Sequence, residues 1–380
     1  MSRPVIPPSA LGALPIDDAA ANSASFGGRS GSVGGFGAPA RSASDIEGAL
    51  RRARALAPRA AALHLGGFTC YLSTLAGLGY ADLTTARVVE PHLDAAAILA
   101  QAGVPLVTVT PDKASTWGVF AASAPGHHLT ARLEDGWLLS GTKPWCSLAD
   151  RLSHALVTAQ GPDGQARLFA LDLRHDGVTD LHPPWVARGL RDVETTTLTL
   201  TDVPALPVGP PGWYLSRPGF AWGAISVAAI WYGAAAALRT TLLDTSGRRP
   251  PDQIALAALG RVDTVVYAAG CVLADVGRLV DSGASEPGLP RGESADEPEW
   301  GVLAARVRAV VHDAAETCLR TVCHALGPGP LTGDEDHARR VADLTVYLRQ
   351  HHADRDLARL GHSLLALQPA GGSPAVAVRP

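Results

Sequence analysis

A tryptophan and a serine two residues apart, Trp145 and Ser147, have side chains suited to binding a flat ring compound. They lie in SGTKPWCSLAD, after an alternating run and a turn at Glu134-Asp135-Gly136, which predicts the end of a β-hairpin. An aromatic face suits a flat ring system, and a short hydroxyl can donate to or accept from a ring nitrogen. The segment is therefore either the wall of a ring-binding pocket or an ordinary strand end with a packed tryptophan.

The neighbouring residues Lys143 and Cys146 are interpreted as structural. Side chains alternate along a strand, so Cys146 should point to the face opposite Trp145 and Ser147. Nothing near Cys146 in sequence would lower its pKa, which indicates a small buried apolar residue rather than a nucleophile. Lys143 is expected to extend its charged end to the surface.

Cysteine and histidine usage argues against a disulfide framework and against a metal site. The five cysteines are far apart and form no CxxC pair. The thirteen histidines include no HExxH motif and no carboxylate-bridged spacing.

The composition predicts a protein with a large core and no nucleic-acid partner. The chain has 380 residues, 47% of them apolar, and a formal net charge of −4 with both signs scattered. Its first residues contain no unbroken apolar run of the signal-peptide type. The apolar stretch Ala221–Leu238 lacks flanking basic anchors and is interpreted as a buried helix rather than a membrane span. We therefore expect a cytoplasmic protein without membrane insertion.

Residues 1–112 are predicted to form an N-terminal helical domain. Within them, residues 22–42 are rich in Gly and Ser without periodicity, which indicates a flexible segment. No strand precedes this segment, so a phosphate-binding loop is not expected there. The residues from Ser44 to Glu47 are typical of a helix start, and a second helix is predicted over Thr84–Ala102.

Residues 113–215 are predicted to form a middle antiparallel β domain, since short alternating runs are separated by turn signals. The runs are Leu129–Leu133, Trp137–Ser140, Ala155–Ala159, Arg167–Asp172 and Thr195–Leu200.

Residues 216–368 are predicted to form a C-terminal four-helix bundle, followed by a tail at 369–380. Apolar residues recur at spacings of three and four residues, as in amphipathic helices, over about 219–244, 252–282, 299–326 and 334–366. The fold class predicted is α+β and mainly helical.

This order of elements resembles the acyl-CoA dehydrogenase superfamily over roughly residues 45–366. Three stretches carry the resemblance, namely DGWLLSGTKPWCSLAD, ARGLRDVETTTLTLTDVPA and HALGPGPLTGDEDHARRVAD. It implies FAD bound between the β domain and the bundle. It also implies assembly as a homodimer or homotetramer, and a heteromer is a further possibility because family flavin sites can draw on two subunits.

The resemblance also implies roles for individual residues. Trp145 would pack against the flavin ring, and the Ser147 hydroxyl would lie near the reactive flavin nitrogen. Ser123 would take the place of a threonine in the flavin loop. Arg249, or its neighbour Arg248, and Gln253 would contact the adenosine diphosphate of FAD.

Two departures from the family pattern keep FAD, FMN and no flavin all open. The stretch FAASAPGHHLTAR lacks the loop's glutamate and its Gly-Ser-Asp part. The first bundle hairpin, GRRPPDQIALAALG, lacks a Phe-Gly pair.

A third departure concerns the catalytic base. In the family a glutamate commonly lies eight residues after the aspartate of the Arg-Asp pair, and eight residues after Asp343 stands His351. Glu316 on the third bundle helix is another candidate base. A histidine there resembles the flavin monooxygenases of the same fold, which use a histidine on the last helix and a hydroxyl beside the flavin. Ser147 and His351 would then be catalytic, with His352 as the alternative partner, because a neutral histidine can deprotonate a phenol.

Three functions follow as hypotheses. The first is a flavin-dependent oxidoreductase that oxidises an acyl thioester or a similar small molecule, such as an acyl-CoA, by hydride transfer to flavin at a CH–CH bond. The second is a flavin monooxygenase that uses Ser147 and His351. The third is a flavin-free binding or partner subunit, which the shortened loop and missing glutamate favour.

Overall fold

The computed structural model describes residue 14 and residues 45–104, 110, 112, 114–181, 184–247, 250–284 and 300–367. The predicted flexible segment at 22–42, the predicted FAD contact Arg249 and the predicted tail lie outside these residues.

Three helices come first, namely α1 (Ile46–Ala61), α2 (Phe68–Ala81) and α3 (Leu83–Gln101). Aspartates begin two of them, because a short carboxylate can accept a hydrogen bond from a free N–H group of the first turn. Asp45 accepts from the Gly48 amide at 2.8 Å, and Asp82 accepts from the Thr85 amide at 2.6 Å. The helix predicted over Thr84–Ala102 is therefore confirmed to within one residue at each end.

The described strands form one seven-stranded sheet. They are β1 (Trp117–Phe120), β2 (Leu129–Leu133), β3 (Trp137–Ser147), β4 (His154–Gln160), β5 (Ala166–Asp172), β6 (Val178–Asp180) and β7 (Thr195–Val208). The pairings β4–β2, β2–β3, β3–β7, β7–β5 and β5–β4 close a ring, so the sheet is a barrel.

The prediction of a purely antiparallel sheet is wrong at β4, which pairs in parallel with both β1 and β2. Apolar alternation identifies a strand and its buried face, but it carries no information on the direction of the neighbouring strand.

The remaining helices are α4 (Trp213–Ser216), α5 (Pro218–Gly247), α6 (Gln253–Ala284), α7 (Trp300–Leu326), α8 (Pro328–Gly333), α9 (Glu335–Tyr347) and α10 (Asp354–Ala366). The elements run in the predicted order of helices, strands and helices. The division into separate domains at 1–112, 113–215 and 216–368 stays a prediction, as does the arrangement of the C-terminal helices as a four-helix bundle.

The prediction of one continuous helix over 334–366 is wrong, because the chain breaks between α9 and α10. A 3₁₀ turn at Leu348–Gln350 is followed by His351 in an extended conformation and by Ala353 at a positive φ of 46°. The Asp356 side chain accepts a hydrogen bond from the His352 amide at 2.9 Å. This bond satisfies a backbone donor at the break and begins α10.

Helix α5 is the central helix, and the expectation that Ala221–Leu238 is buried is confirmed. Two helical segments, Gly219–Gly247 and Gln253–Gly283, are long and apolar enough to span a membrane by length and composition. In the first, 78% of the most apolar window is buried within the protein, whereas in the second 28% is buried.

The backbones of α2 and α5 approach each other at two glycines. A Cβ atom at Gly79 would lie 2.2 Å from the Ile230 carbonyl oxygen, and one at Gly233 would lie 2.0 Å from the Ala76 carbonyl oxygen. Both distances are far below van der Waals contact, so no larger residue fits without separating the two helices.

We expect Gly233→Ala to lower the free energy of unfolding by about 2–3 kcal/mol, because the new methyl group meets rigid backbone. Gly260→Ala, in the interior of α6, is the matched control. A Cβ there meets nothing within 4 Å, so the control should raise that free energy by about 0.5–1 kcal/mol through helix propensity. Urea denaturation followed by circular dichroism measures both, and equal midpoints for the two variants would contradict the close contact.

Candidate active site

A bulge at the end of β3 presents Trp145 to the outside of the barrel. The register with β7 shifts between Lys143 and Cys146, and Trp145 has a positive φ of 64°. The tryptophan is 59% exposed, whereas the residues on either side are buried. A bulge changes the direction of one side chain while the neighbouring side chains keep their orientation. The exposed indole face can therefore bind a ring.

Lys143 is buried, so the expectation that it extends to the surface is wrong. Its Nζ atom donates to the carbonyl oxygen of Thr158 at 3.0 Å and to the Thr158 hydroxyl at 2.7 Å. Burial lowers the pKa of Lys143 to about 8. Burial also raises the pKa of Cys146 to about 12, in line with the predicted inert apolar residue.

Ser147 is half-buried and belongs to a directed chain of hydrogen bonds. Its Oγ lies 2.9 Å from the Thr195 hydroxyl, which donates to the Val193 carbonyl oxygen at 3.1 Å. A hydroxyl has only one proton, so Ser147 donates to Thr195. The Arg87 guanidinium donates to the Ser147 Oγ at 3.5 Å. The Ser147 oxygen is therefore left with acceptor capacity only.

Arg87 was not identified as a site residue from the sequence, although a signal for it exists. Arg87, Glu90 and Asp94 recur at spacings of three and four in α3, which places three charged side chains on one face of a largely buried helix. A charged face turned inward indicates a functional cluster more often than a solvent-facing one does.

Glu90 and Tyr347 lie beside Arg87. The Glu90 Oε2 atom is 3.5 Å from an Arg87 nitrogen, and the Arg87 guanidinium carbon is 5.9 Å from the centre of the Tyr347 ring. Burial raises the pKa of Glu90 to about 7, with Asp94 raising it further and Arg87 and Arg308 lowering it. The buried Tyr347 hydroxyl has no hydrogen-bond partner within the described part of the chain.

His351 is buried in the break between α9 and α10 and stacks on His312, with ring centroids 4.3 Å apart. Its Nδ1 atom accepts from the Ala353 amide at 3.2 Å, so the proton of the neutral ring is on Nε2. Burial lowers the pKa of His351, and neighbouring His312 adds to this effect. The ring is therefore a neutral Nε2–H donor at pH 7.

A cleft of about 330 Å³ opens beside His351, between α5, α7 and α10. Phe220, Ala221 and Val302 contribute apolar walls, and Arg308 and Asp356 contribute charges. Arg308 also donates to the Ala224 carbonyl oxygen at 2.9 Å and to the Gln350 carbonyl oxygen at 3.2 Å. The cleft thus combines a fixed cation, a neutral imidazole and apolar surface.

Aromatic contacts connect the Ser147 cluster to His351. The Trp231 ring meets Tyr347 edge-on at 6.2 Å and His312 edge-on at 6.3 Å. Among the described residues, Ser147 and His351 do not hydrogen-bond to each other. They lie at the two ends of a buried chain that runs through Arg87, Tyr347, Trp231 and His312.

The other predicted site residues lie apart from this chain. Ser123 is exposed after β1, and Gln253 is exposed at the first position of α6.

His352 is exposed and lies 3.6 Å from Asp356. Glu316 pairs with Arg349 and lies 3.7 Å from the Nε2 atom of His312. Their proposed roles stay predictions.

Trp145, Ser147 and Arg87 have the side-chain types that suit a flat ring that accepts electrons, and Arg87 contacts Ser147 directly. The exposed indole offers a stacking face, the serine offers an acceptor, and the guanidinium offers a positive charge to a ring that becomes more negative on reduction. Across the described residues, no group of three or more His, Cys, Asp or Glu side chains is placed to hold a metal ion.

No protein-family model matches the sequence, and a comparison with curated proteins finds no significant match. Solved structures do match. Butyryl-CoA dehydrogenase from Megasphaera elsdenii is 17% identical, with a TM-score of 0.71 over 84% of this chain and 90% of that chain. FMN-bound TdsC from Paenibacillus sp. A11-2 is 16% identical, with a TM-score of 0.69 over 85% of this chain and 90% of that one.

A third match is KijD3 in complex with FMN and dTDP-3-amino-2,3,6-trideoxy-4-keto-3-methyl-D-glucose. It is 20% identical, with a TM-score of 0.67 over 86% of this chain and 93% of that chain. These matches confirm, at the level of the fold, the resemblance seen in the sequence.

We expect Glu90→Gln to change how stability depends on pH. Between the unfolded pKa of 4.5 and the folded pKa of about 7, the folded protein keeps a proton that the unfolded chain loses. Unfolding free energy should therefore fall by about 3 kcal/mol over this interval and stay level above it.

The glutamine variant lacks this titration, so relative to the native protein it should gain about 3 kcal/mol between pH 5 and pH 8. Chemical denaturation at the two pH values measures the difference. Glu335→Gln, at an exposed carboxylate of α9, serves as the control. A parallel pH response of the native protein and the Glu90 variant would show that Glu90 does not titrate in this range.

Proposed function

We propose that this chain, which has the fold of the acyl-CoA dehydrogenases, is a flavin-dependent oxidoreductase of the monooxygenase type. The observation that carries the proposal is His351. In the break where related dehydrogenases commonly carry a glutamate base, this chain has a buried neutral imidazole beside a 330 Å³ cleft. The Nδ1 atom of His351 already accepts from the Ala353 amide and Nε2 carries the ring proton, so the ring has no free lone pair for a substrate proton, but it is a good hydrogen-bond donor to oxygen.

The proposed cofactor is a flavin, either FAD or FMN, with its ring against Trp145. The combination of an exposed indole, Ser147 and Arg87 supports this assignment, and two of the matching structures contain FMN. The ring is common to both flavins. Gln253 and Arg249 would contribute only to FAD, because they are proposed to contact its adenosine diphosphate.

Reduced flavin, supplied by a separate reductase, would provide the two electrons that place one oxygen atom of O₂ in the substrate and release the other as water. The residues of this chain have separate tasks in that reaction. His351 donates from Nε2 to an oxygen atom in the cleft. Arg87 offsets negative charge on the ring, and Ser147 accepts a hydrogen bond at the ring edge.

Dehydrogenation at a CH–CH bond is the second candidate, and Glu90 favours it. A buried carboxyl with a pKa of about 7 is suited to general base catalysis. It would take the α-proton of a substrate such as an acyl-CoA while the hydride passes to the flavin.

The apolar surface of α6 supports the proposal that the chain assembles as a homodimer or homotetramer. Ile254 is 78% exposed and Leu256 is 53% exposed. An exposed apolar helix face is typical of a subunit interface. A heteromer would bury the same surface and is the alternative assembly.

Visible absorbance of the protein titrated with FMN and with FAD tests the cofactor. We expect a bound-flavin spectrum that Trp145→Ala weakens at least tenfold in affinity, because it removes the stacking face. Trp185→Ala, at another tryptophan of the barrel region, should leave binding unchanged. A protein that binds neither flavin would instead be a partner or binding subunit.

His351→Asn tests the reaction. We expect a loss of at least tenfold in substrate-dependent O₂ uptake with reduced flavin, at unchanged flavin affinity, because the Nε2 donor is lost. His352→Asn alters the exposed neighbour and should have little effect. Reduction of an artificial electron acceptor by an acyl-CoA, lost in Glu90→Gln and retained in His351→Asn, would establish the dehydrogenase instead.

A further inference from the structure

Two adjoining cavities lie beside α3 and share no lining residue with the His351 cleft, and of the residues given a role above only Glu90 lines either of them. The outer cavity encloses about 220 Å³ and is lined mainly by apolar side chains of α1, the following turn and α3, among them Leu56 and Leu93. The inner cavity encloses about 10 Å³, and its lining includes the polar side chains of Glu90, Asp94 and Arg217. Leu63 and Tyr71 line both cavities, so the two cavities meet at these side chains.

The inner cavity contains two buried donors without a partner. Within the described residues, neither the Trp222 Nε1 atom nor the Arg217 Nε atom has a hydrogen-bond partner. Both residues line this cavity, Trp222 is 8% exposed, and the Arg217 side chain is 4% exposed. A buried unpaired N–H group costs about 1–3 kcal/mol, so these two donors indicate that the cavity is normally occupied.

Two carboxyl groups face the donors across the same space. Glu90 and Asp94 are one turn apart on α3 and both line the cavity. Asp94 lies 4.0 Å from an Arg217 nitrogen, and another nitrogen of that guanidinium donates to Gln101 at 2.6 Å. Burial raises the pKa of the Asp94 carboxyl. The cavity therefore presents donors on one side and carboxyl groups on the other.

A hydroxyl group satisfies both sides, because it accepts from Trp222 or Arg217 and donates to a carboxyl oxygen. An ammonium group would leave both N–H donors unpaired and would be repelled by Arg217. A carboxylate or phosphate would meet Glu90 and Asp94 and exceeds the space, which admits one water-sized group. The occupant of the inner cavity is a water molecule or a single hydroxyl.

The outer cavity favours a ligand hydroxyl over a water molecule in the inner cavity, because it provides room for the rest of the ligand. An apolar cavity of about 150 Å³ binds benzene in another protein, so 220 Å³ suits a compound of one or two rings. We propose that the adjoining cavities bind an uncharged one- or two-ring compound through a single hydroxyl group, held by Trp222, Arg217 and the two α3 carboxyls.

The site lies close to the candidate flavin face. Glu90 lines the inner cavity and contacts Arg87, which in turn contacts the Ser147 hydroxyl. A bound hydroxyl is thus two side chains from Ser147. That the compound is a substrate rests on the proposed function, whereas its binding does not.

Equilibrium dialysis of the flavin-free full chain against 2-naphthol and naphthalene tests the site. We expect 2-naphthol to bind at least tenfold more tightly, since the hydroxyl pairs donors that naphthalene leaves unpaired. Trp222→Phe should reduce the ratio to below about threefold. Trp231→Phe is the matched control, because its buried Nε1 atom also lacks a partner among the described residues but lines neither cavity.

Ala62→Phe places a ring in the outer cavity and should abolish binding of both compounds. This second variant tests the proposal even if Trp222→Phe does not fold. Equal affinity for 2-naphthol and naphthalene, or binding of neither, would overturn the proposal and leave a water molecule in the inner cavity. Retained 2-naphthol preference in a protein that binds no flavin would reject the proposed function and leave this site standing.

Discussion

The contact between the backbones of α2 and α5 sets how closely the helices around α5 can pack. Gly79 and Gly233 let the two helices meet at carbonyl oxygens rather than at side chains. Helix α5 then lies at the centre, with α2 and α7 packed closely against it and α3 and α9 also in contact. At this separation the charged side chains of α3 lie close to aromatic and charged residues of α7 and α9. A wider spacing would leave a gap that water or larger apolar side chains would have to fill.

Burying the charged side chains of α3 and their neighbours costs free energy of folding. Glu90 and Arg308 are largely buried, and burial disfavours the charged form of each. The pKa of the Glu90 carboxyl rises to about 7 for this reason, and that of Arg308 falls. Apolar residues at these buried positions would give a larger free energy of unfolding. The presence of charged side chains between an exposed indole and a buried histidine pair supports the proposal that a catalytic site lies there.

The sequence allowed the site to be predicted where the relevant property is local. Trp145 and Ser147 could be proposed as site residues because an aromatic and a hydroxyl at a hairpin end also match the family segment, and the burial of Cys146 could be predicted from its place in an alternating strand. Lys143 failed because its burial depends on Thr158 across the barrel. Arg87 was missed because its role requires a partner 60 residues away. Barrel closure and the position of His351 in a break depend on pairing and capping contacts that periodicity does not encode.

The break between α9 and α10 has a consequence for how this fold acquires new chemistry. A residue within a helix must satisfy helical propensity and the packing of its own turn, whereas the extended residue at 351 is held mainly by the backbone around it. The hydrogen bonds of the break come from the Asp356 side chain and the Arg308 guanidinium to main-chain atoms. The His351 Nδ1 atom also accepts from the Ala353 amide, and a carboxylate or amide oxygen at this position can accept the same hydrogen bond, so the helices on either side need not change. For the proposed function, this means that a single substitution at residue 351 would change the chemistry of the site while the packing of the helices stays the same.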